Sequence, residues 1–308
     1  MTRVAVVDLG TNSTRLLVAD VEGGEVREIE RRTEITRLGQ GVDATGALAE
    51  DAMERVFEAV AGFRSTIDEL GATRAVAVAT SAVRDAANGE RLRGALEARY
   101  GLEARVIAGD EEARLTFRGA TSALPVDGAE PTLVIDVGGG STELVVGRAG
   151  GDPSFRVSTQ AGSVRQTERH LHEDPPESRG LADLALEVQV LFETAVPESV
   201  RGSVAQGIAV AGTATSLAAV DLELEPYDAA QVDGYRLELG ACERMLAMLA
   251  ATPLPERRAV PGLHPGRAPT IVAGTVLLVE AMRAFGLEAV RTSEADILHG
   301  AALAAAGA

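Results

Sequence analysis

Two rhythms of apolar and polar positions alternate along the chain. Residues 3–8 run from Arg3 through four apolar residues to a closing Asp8, the pattern of a strand buried on both faces. A short polar turn follows, and residues 15–21 read as a second strand. The Gly23-Gly24 pair reads as a hairpin turn before a third strand that runs to about residue 35. The rhythm then changes to steps of three and four. Met53, Val56, Phe57, Val60, Phe63, Ile67 and Leu70 fall on one face of a helix over about 47–70, and Gly71 stops it. Strands are expected at 75–79 and 103–107, and helices at 89–100 and 110–120.

Residues 122–130 carry Pro125 and Asp127-Gly128 and read as a connection between domains. Beyond it the opening pattern returns. An apolar strand at 132–136 closes on Asp136, three glycines make a turn, a second strand covers 143–147, Gly150-Gly151 makes a hairpin turn, and a third strand covers 155–159. Each half of the chain thus opens on the same strand, aspartate, glycine turn, strand, turn and strand. Helices are expected at 178–195 and 235–251, a strand at 208–211, a last strand at 290–292 and a last helix at 295–306. Residues 270–285 are apolar nearly all round and predict a buried helix. The stretches 171–180 and 252–269 read as loops. Alternating strands and helices imply an α/β fold. A length of 308 residues suits two domains, placed at 1–121 and 122–308, with the last helix free to pack back on the first.

Charge narrows the partners. The chain carries 46 acidic against 29 basic residues, a net charge of −17. That balance argues against general nucleic-acid binding, which needs a basic footprint. Every basic residue is Arg, so any phosphate clamp must be a guanidinium, which grips phosphate through two parallel hydrogen bonds. A single cysteine, Cys242, rules out an intrachain disulfide and a cysteine metal cluster, and its neighbours Met245, Leu246 and Leu249 place it in a core. His170, His172, His264 and His299 have no metal-ligand spacing and read as surface or loop histidines. No apolar run approaches a membrane span. The first strand begins almost at the first residue, which leaves no room for a secretory signal, so a cytoplasmic protein without a membrane partner is expected.

Four segments carry candidate chemistry. In Asp8-Leu9-Gly10-Thr11-Asn12-Ser13-Thr14-Arg15, a strand ends on a carboxylate and turns through hydroxyls, an amide and backbone donors. Such a turn can wrap a phosphate while Asp8 holds a cation. In Asp136-Val137-Gly138-Gly139-Gly140-Ser141-Thr142-Glu143, three glycines after a buried strand mark a close approach by something other than side chains. Glu111 and Glu112 open a helix, where the dipole favours carboxylates. Gly212 and Thr213 follow a strand and open another helix, the arrangement of an anion site at a helix N-terminus.

The set DLGTNSTR, GDEEARL, VIDVGGGSTEL, AGTATSL and SEADILHG, in this order from Val4 to Gly300, resembles the exopolyphosphatase and guanosine pentaphosphate phosphatase family. That family belongs to the superfamily of acetate kinase, sugar kinases, Hsp70 and actin. The chain is similar to its short, two-domain form. The resemblance implies two actin-like, ribonuclease H-like α/β domains with an inter-domain cleft. It implies Glu112 as the catalytic base and Asp136, Glu143 and Asp8 as the carboxylates around Mg²⁺, with Mn²⁺ as the alternative metal. The turns Gly10, Thr11, Asn12, Ser13 and Gly138, Gly139, Gly140, Ser141 would cradle the terminal phosphate together with Gly212 and Thr213. Arg84, Arg15 and Arg267 would hold the rest of the anion. The implied activity is hydrolysis of terminal phosphates from inorganic polyphosphate. The alternatives are guanosine pentaphosphate (pppGpp) hydrolysis and, in a different class, a nucleotide-binding kinase or sensor of the same fold. A homodimer is the expected assembly. The sequence departs from the family pattern at Pro269 and His299.

Overall fold

The computed structural model describes residues 1–124 and 130–307. The expected connection at 122–130 lies mostly outside them. Contacts divide the chain into two compact units, Met1–Leu124 with Ala295–Ala308, and Pro125–Glu294.

The first unit contains β1 (Thr2–Leu9), β2 (Thr14–Glu22), β3 (Glu25–Glu34), α1 (Val42–Thr45), α2 (Glu50–Leu70), β4 (Arg74–Ala79), α3 (Ser81–Asp85), α4 (Gly89–Tyr100), β5 (Ala104–Val106) and α5 (Gly109–Ala120). Its sheet runs β3-β2-β1-β4-β5. The first three strands form an antiparallel meander, and β4 and β5 continue parallel to β1. β1 is apolar from Val4 to Val7 because both of its faces are covered. Ala5, Val7 and Leu9 join the core under α2, whose inward face carries Met53, Val56, Phe57, Val60, Phe63 and Ile67. Each such fully buried side chain stabilises by about 1.5–3 kcal/mol relative to leaving it exposed.

The second unit contains β6 (Thr132–Val137), β7 (Thr142–Gly147), β8 (Phe155–Thr159), α6 (Ser163–His170), α7 (Ser178–Ala195), α8 (Glu198–Arg201), β9 (Gln206–Val210), α9 (Ala211–Asp221), α10 (Ala229–Val232), β10 (Arg236–Glu238), α11 (Leu239–Ala251), α12 (Leu254–Arg257), α13 (Ile271–Ala284) and β11 (Ala289–Thr292). Its sheet runs β10-β11-β9-β6-β7-β8. From β8 to β11 this repeats the order and directions of the first sheet, with β10 added antiparallel at the edge. α13 is the buried helix that its all-round apolar sequence requires: residues 271–282 are all buried.

The final helix, α14 (Ile297–Ala306), belongs to the first unit. The last helix thus packs back on the first domain, and the boundary between the units falls after Leu124 in place of residue 121. Val4, Val6, Leu17, Ala19 and Val21 on the second face of the first sheet need cover, and Leu298, Ala301, Ala302 and Leu303 supply it. Gly119 of α5 and Gly300 of α14 let the two helices cross closely. A Cβ on Gly300 would sit 1.9 Å from the Leu115 carbonyl oxygen.

Other expectations shift locally. Residues 236–238 form a strand instead of a first helical turn, because Leu237 alternates inward between exposed neighbours and pairs with Val290. The short helices α6 and α12 occupy segments not assigned as helical. His299 is buried on α14 and its Nε2 lies 3.1 Å from Glu28, so it is not a surface histidine. Cys242 is fully buried in the core of the second unit, and burial pushes its thiol up to about 12.

Candidate active site

The two glycine turns are built alike. Strand register sets Asp8 opposite Arg15 in the first hairpin and Asp136 opposite Glu143 in the second. Each turn closes on itself, Gly10 N–H to the Ser13 carbonyl and Gly138 N–H to the Ser141 carbonyl, both at 3.0 Å. Each is also gripped from one side by the segment that follows its third strand. The Thr11 and Asn12 carbonyls accept from Gly39 and Arg37 at 2.8 and 2.9 Å. The Gly138 and Gly139 carbonyls accept from Ser163 and Val164 at 2.9 and 2.8 Å, and Arg165 Nε holds the Gly140 carbonyl. In a trans peptide the N–H points opposite to the carbonyl before it. The grip therefore turns the N–H groups of Asn12 and Ser13, and of Gly139, Gly140 and Ser141, away from the gripping segment. A row of such donors is an anion-binding concavity.

Glycine at the gripping residue is a matter of space. A Cβ on Gly162 would lie 2.4 Å from Gly139 and Gly140 backbone atoms, and one on Gly39 would lie 2.2 Å from Thr11 Cγ2. Gly39 and Gly162 end matching stretches, Thr36-Arg37-Leu38-Gly39 and Thr159-Gln160-Ala161-Gly162.

At the ends of the parallel strands of the first unit, three further pieces gather. Thr11 Oγ1 and Ser81 Oγ share a buried hydrogen bond of 2.9 Å, which links the turn to the start of α3. Arg84, also on α3, donates through Nη1 to the Ile107 carbonyl at 3.0 Å and to Glu112 Oε2 at 3.1 Å. Glu112 is 8% exposed. Its neighbour Glu111 is tied to Arg105 on the exposed side of the helix. Of the two glutamates, only Glu112 is thus a buried carboxylate of fixed orientation in the first turn of α5.

The carboxylates differ in their partners. Asp136 and Glu143 are 8% and 1% exposed and face each other across the second hairpin. Like charges directly opposite are destabilising unless something positive joins them. Ser158 donates to Glu143 Oε1 at 2.6 Å. In the first hairpin Arg15 takes the matching place. It donates to Asp8 Oδ2 through Nε and Nη2 at 3.0 and 2.7 Å, and to Asp296 Oδ2 through Nη1. Asp8 Oδ1 is buried with no hydrogen-bond partner. Burial pushes the Asp8 carboxyl up, and Arg15 only partly reverses this. Burial acts on Asp296 in the same direction, but Arg15 and Arg31 outweigh it and hold that carboxyl low. Hard oxygen donors in this number suit Mg²⁺, which binds through one or two carboxylates and keeps several waters. Among the described residues no three His, Cys, Asp or Glu side chains form a ready metal cluster. Asp136 and Glu143 share the second hairpin, and Asp8 stands at the matching strand end of the first.

The second unit adds a strained turn. Ala211, at the junction of β9 and α9, has φ 62°, a left-handed conformation that costs a non-glycine residue about 1 kcal/mol or more. It presents Gly212 to Arg267: a Cβ on Gly212 would fall 1.5 Å from the Arg267 guanidinium. Thr213 is buried beside Ser163 and Gly274, where α13 comes close because Gly274 has no side chain.

The Ppx/GppA phosphatase family profile matches residues 17–306. The chain belongs to the Ppx/GppA phosphatase family. It is 39% identical over 327 aligned residues to exopolyphosphatase 2 of Mycobacterium tuberculosis, covering 100% of this chain and 99% of that one. A crystal structure of an exopolyphosphatase-like protein superimposes with a TM-score of 0.93 at 34% identity, over 98% of this chain and 97% of that one. The Ppx/GppA family member of Aquifex aeolicus gives 0.82 at 28% identity, over 98% and 97%. Each sheet has the actin-like topology, and the chain is a phosphoanhydride hydrolase. No helix among the described residues is long and apolar enough to cross a membrane.

Within this Ppx/GppA framework, one assignment changes. Arg15 is not an open phosphate clamp. It is 15% exposed and engaged by two buried carboxylates, because the register of β1 and β2 puts it beside Asp8. Arg84 is engaged too, but by Glu112 itself. Sequence reasoning missed Gly39, Ser81, Gly162, Arg165 and Asp296. The first and third of these were legible, since aligning the two halves past their third strands exposes the shared Thr-x-x-Gly. Asp296 lies within the SEADILHG segment, but its role carried no local signal, because its partners Arg15 and Asp8 lie at the other end of the chain.

Proposed function

We propose that this member of the Ppx/GppA family is an exopolyphosphatase that hydrolyses the terminal phosphoanhydride of inorganic polyphosphate. The observation that carries this reading is Glu112, a buried carboxylate held by Arg84 through one oxygen, in a unit whose glycine turn presents backbone donors. Phosphoanhydride hydrolysis needs positioning and charge neutralisation more than covalent chemistry. In the first unit the N–H groups of Asn12 and Ser13 bind phosphate oxygens, and in the second unit those of Gly139, Gly140 and Ser141 do the same. Glu112 takes a proton from water as its oxygen attacks the terminal phosphorus. The bridging P–O bond breaks, and its electron pair leaves with the shortened chain. Arg84 keeps the Glu112 carboxylate aimed, and Arg267, seated on Gly212, holds phosphate at the start of α9. In the second unit Asp136 and Glu143 would hold Mg²⁺, whose charge would neutralise phosphate oxygens; in the first unit Asp8 Oδ1 would offer an oxygen to a cation or its water.

The test is phosphate release from polyphosphates of graded length in Mg²⁺, with guanosine pentaphosphate as competitor and as sole substrate. Rapid release from polyphosphate that the nucleotide inhibits weakly supports the proposal. Preference for the nucleotide would reassign the substrate, and sugar-dependent loss of ATP would move the chain to the kinase class. Sedimentation equilibrium tests the homodimer.

A further inference from the structure

The oxygens around Arg15 can be accounted for one by one. Asp8 Oδ2 accepts twice from Arg15. Asp296 Oδ2 accepts from the Arg15 Nη1, and Asp296 Oδ1 accepts from the Leu298 N–H at 3.0 Å as the cap of α14. Asp8 Oδ1 is left, buried and without a hydrogen bond. Two carboxylates share one guanidinium, so the cluster carries one uncompensated negative charge. Asp8 and Asp296 are 3% and 2% exposed, so water screens that charge poorly. The neighbouring Arg31 also lowers the Asp296 carboxyl, but it is paired with Glu28, and that pair adds no net charge.

We infer that Asp296 is a positioning residue for the metal, acting through Arg15 on Asp8. By occupying one arm of the guanidinium, Asp296 keeps Arg15 from neutralising Asp8 completely. It also holds Arg15 on the Oδ2 side and leaves Oδ1 for a cation or a cation-bound water. In the twin hairpin the place of Arg15 belongs to Glu143, and no such compensation is needed. The first unit therefore keeps a net negative charge beside its turn only because the last helix returns to it and brings Asp296.

This inference rests on the proposed metal role of Asp8, and the experiment separates the two. Mn²⁺ is titrated into substrate-free protein and free Mn²⁺ is read by electron paramagnetic resonance. The variants are Asp8→Asn, Asp296→Asn, Asp296→Ser and Asp296→Glu. Asn and Ser both retain the ability to cap α14 while removing the charge, which guards against loss of the fold. Asp296→Asn and Asp296→Ser should each weaken Mn²⁺ binding about 10–100-fold, the usual effect of removing an outer-shell partner. Asp296→Glu should restore binding toward the wild-type value. Weakened binding in Asp8→Asn with unchanged binding in Asp296→Asn and Asp296→Ser overturns the inference and leaves the Asp8 role standing. Unchanged binding in Asp8→Asn overturns both.

Discussion

Gly162→Ala tests whether the second glycine turn is a phosphate cradle. Gly162 has φ −128° and ψ 164°, an extended conformation open to any residue, so the substitution adds a methyl group and no backbone strain. That methyl would lie 2.4 Å from the Gly139 carbon and oxygen and from the Gly140 nitrogen. Ordinary contact begins near 3.4 Å, so the turn must back away from α6 by about 1 Å. Overpacking of this kind costs about 1–3 kcal/mol. The same displacement moves the Gly139 and Gly140 N–H groups, and a 1 Å misplacement of binding groups can cost about 100-fold in rate. The measurement is phosphate release from polyphosphate at saturating Mg²⁺, with a thermal melt to establish that the protein is folded. Gly94→Ala is the matched control. It makes the same chemical change on an exposed face of α4 with nothing within 4 Å of the new methyl, and it should stabilise by about 0.5–1 kcal/mol with unchanged rate. If folded Gly162→Ala turns over within twofold of wild type, the turn does not hold the reacting phosphate and the reasoning fails.

Glu112→Gln should lower kcat by about 100- to 10,000-fold, the range of a general base, while Glu111→Gln should leave it nearly unchanged because Arg105 ties that side chain outside. Near-normal turnover in Glu112→Gln would falsify the base assignment. Burial alone would raise the Glu28 carboxyl, but hydrogen bonds from His299 and Arg31 reverse this and hold it at about 2. Because the folded value lies below the unfolded one, its contribution is present above the ordinary glutamate range and is lost as pH falls toward about 2. Denaturation midpoints of wild type and Glu28→Gln should therefore converge as the solution is acidified through that window, and a constant gap would contradict the pairing. Cys242 should resist alkylation in the native protein and react only on unfolding, since its thiol is pushed up to about 12. Phe63→Ala should cost about 3–5 kcal/mol in a urea titration, because the ring is 1% exposed against the first sheet.

Much of this architecture is written in local pattern. Two apolar strands that each close on an aspartate and a glycine turn, followed by two more strands, specify the hairpins and their register, and with them the pairing of Asp8 with residue 15 and Asp136 with residue 143. Period-two and period-three-to-four rhythms act between neighbours, so they survive in a linear reading. Even Gly39 and Gly162 were present as a repeated Thr-x-x-Gly. Only folding decided which oxygen of which acid is occupied. That Arg15 serves Asp296 as well as Asp8, that Glu112 turns inward to Arg84, and that the last helix lies on the first sheet all depend on residues far apart in the chain. Hydrogen bonds and charge compensation are settled by distances of about 3 Å between such residues, and no periodicity along the backbone encodes them.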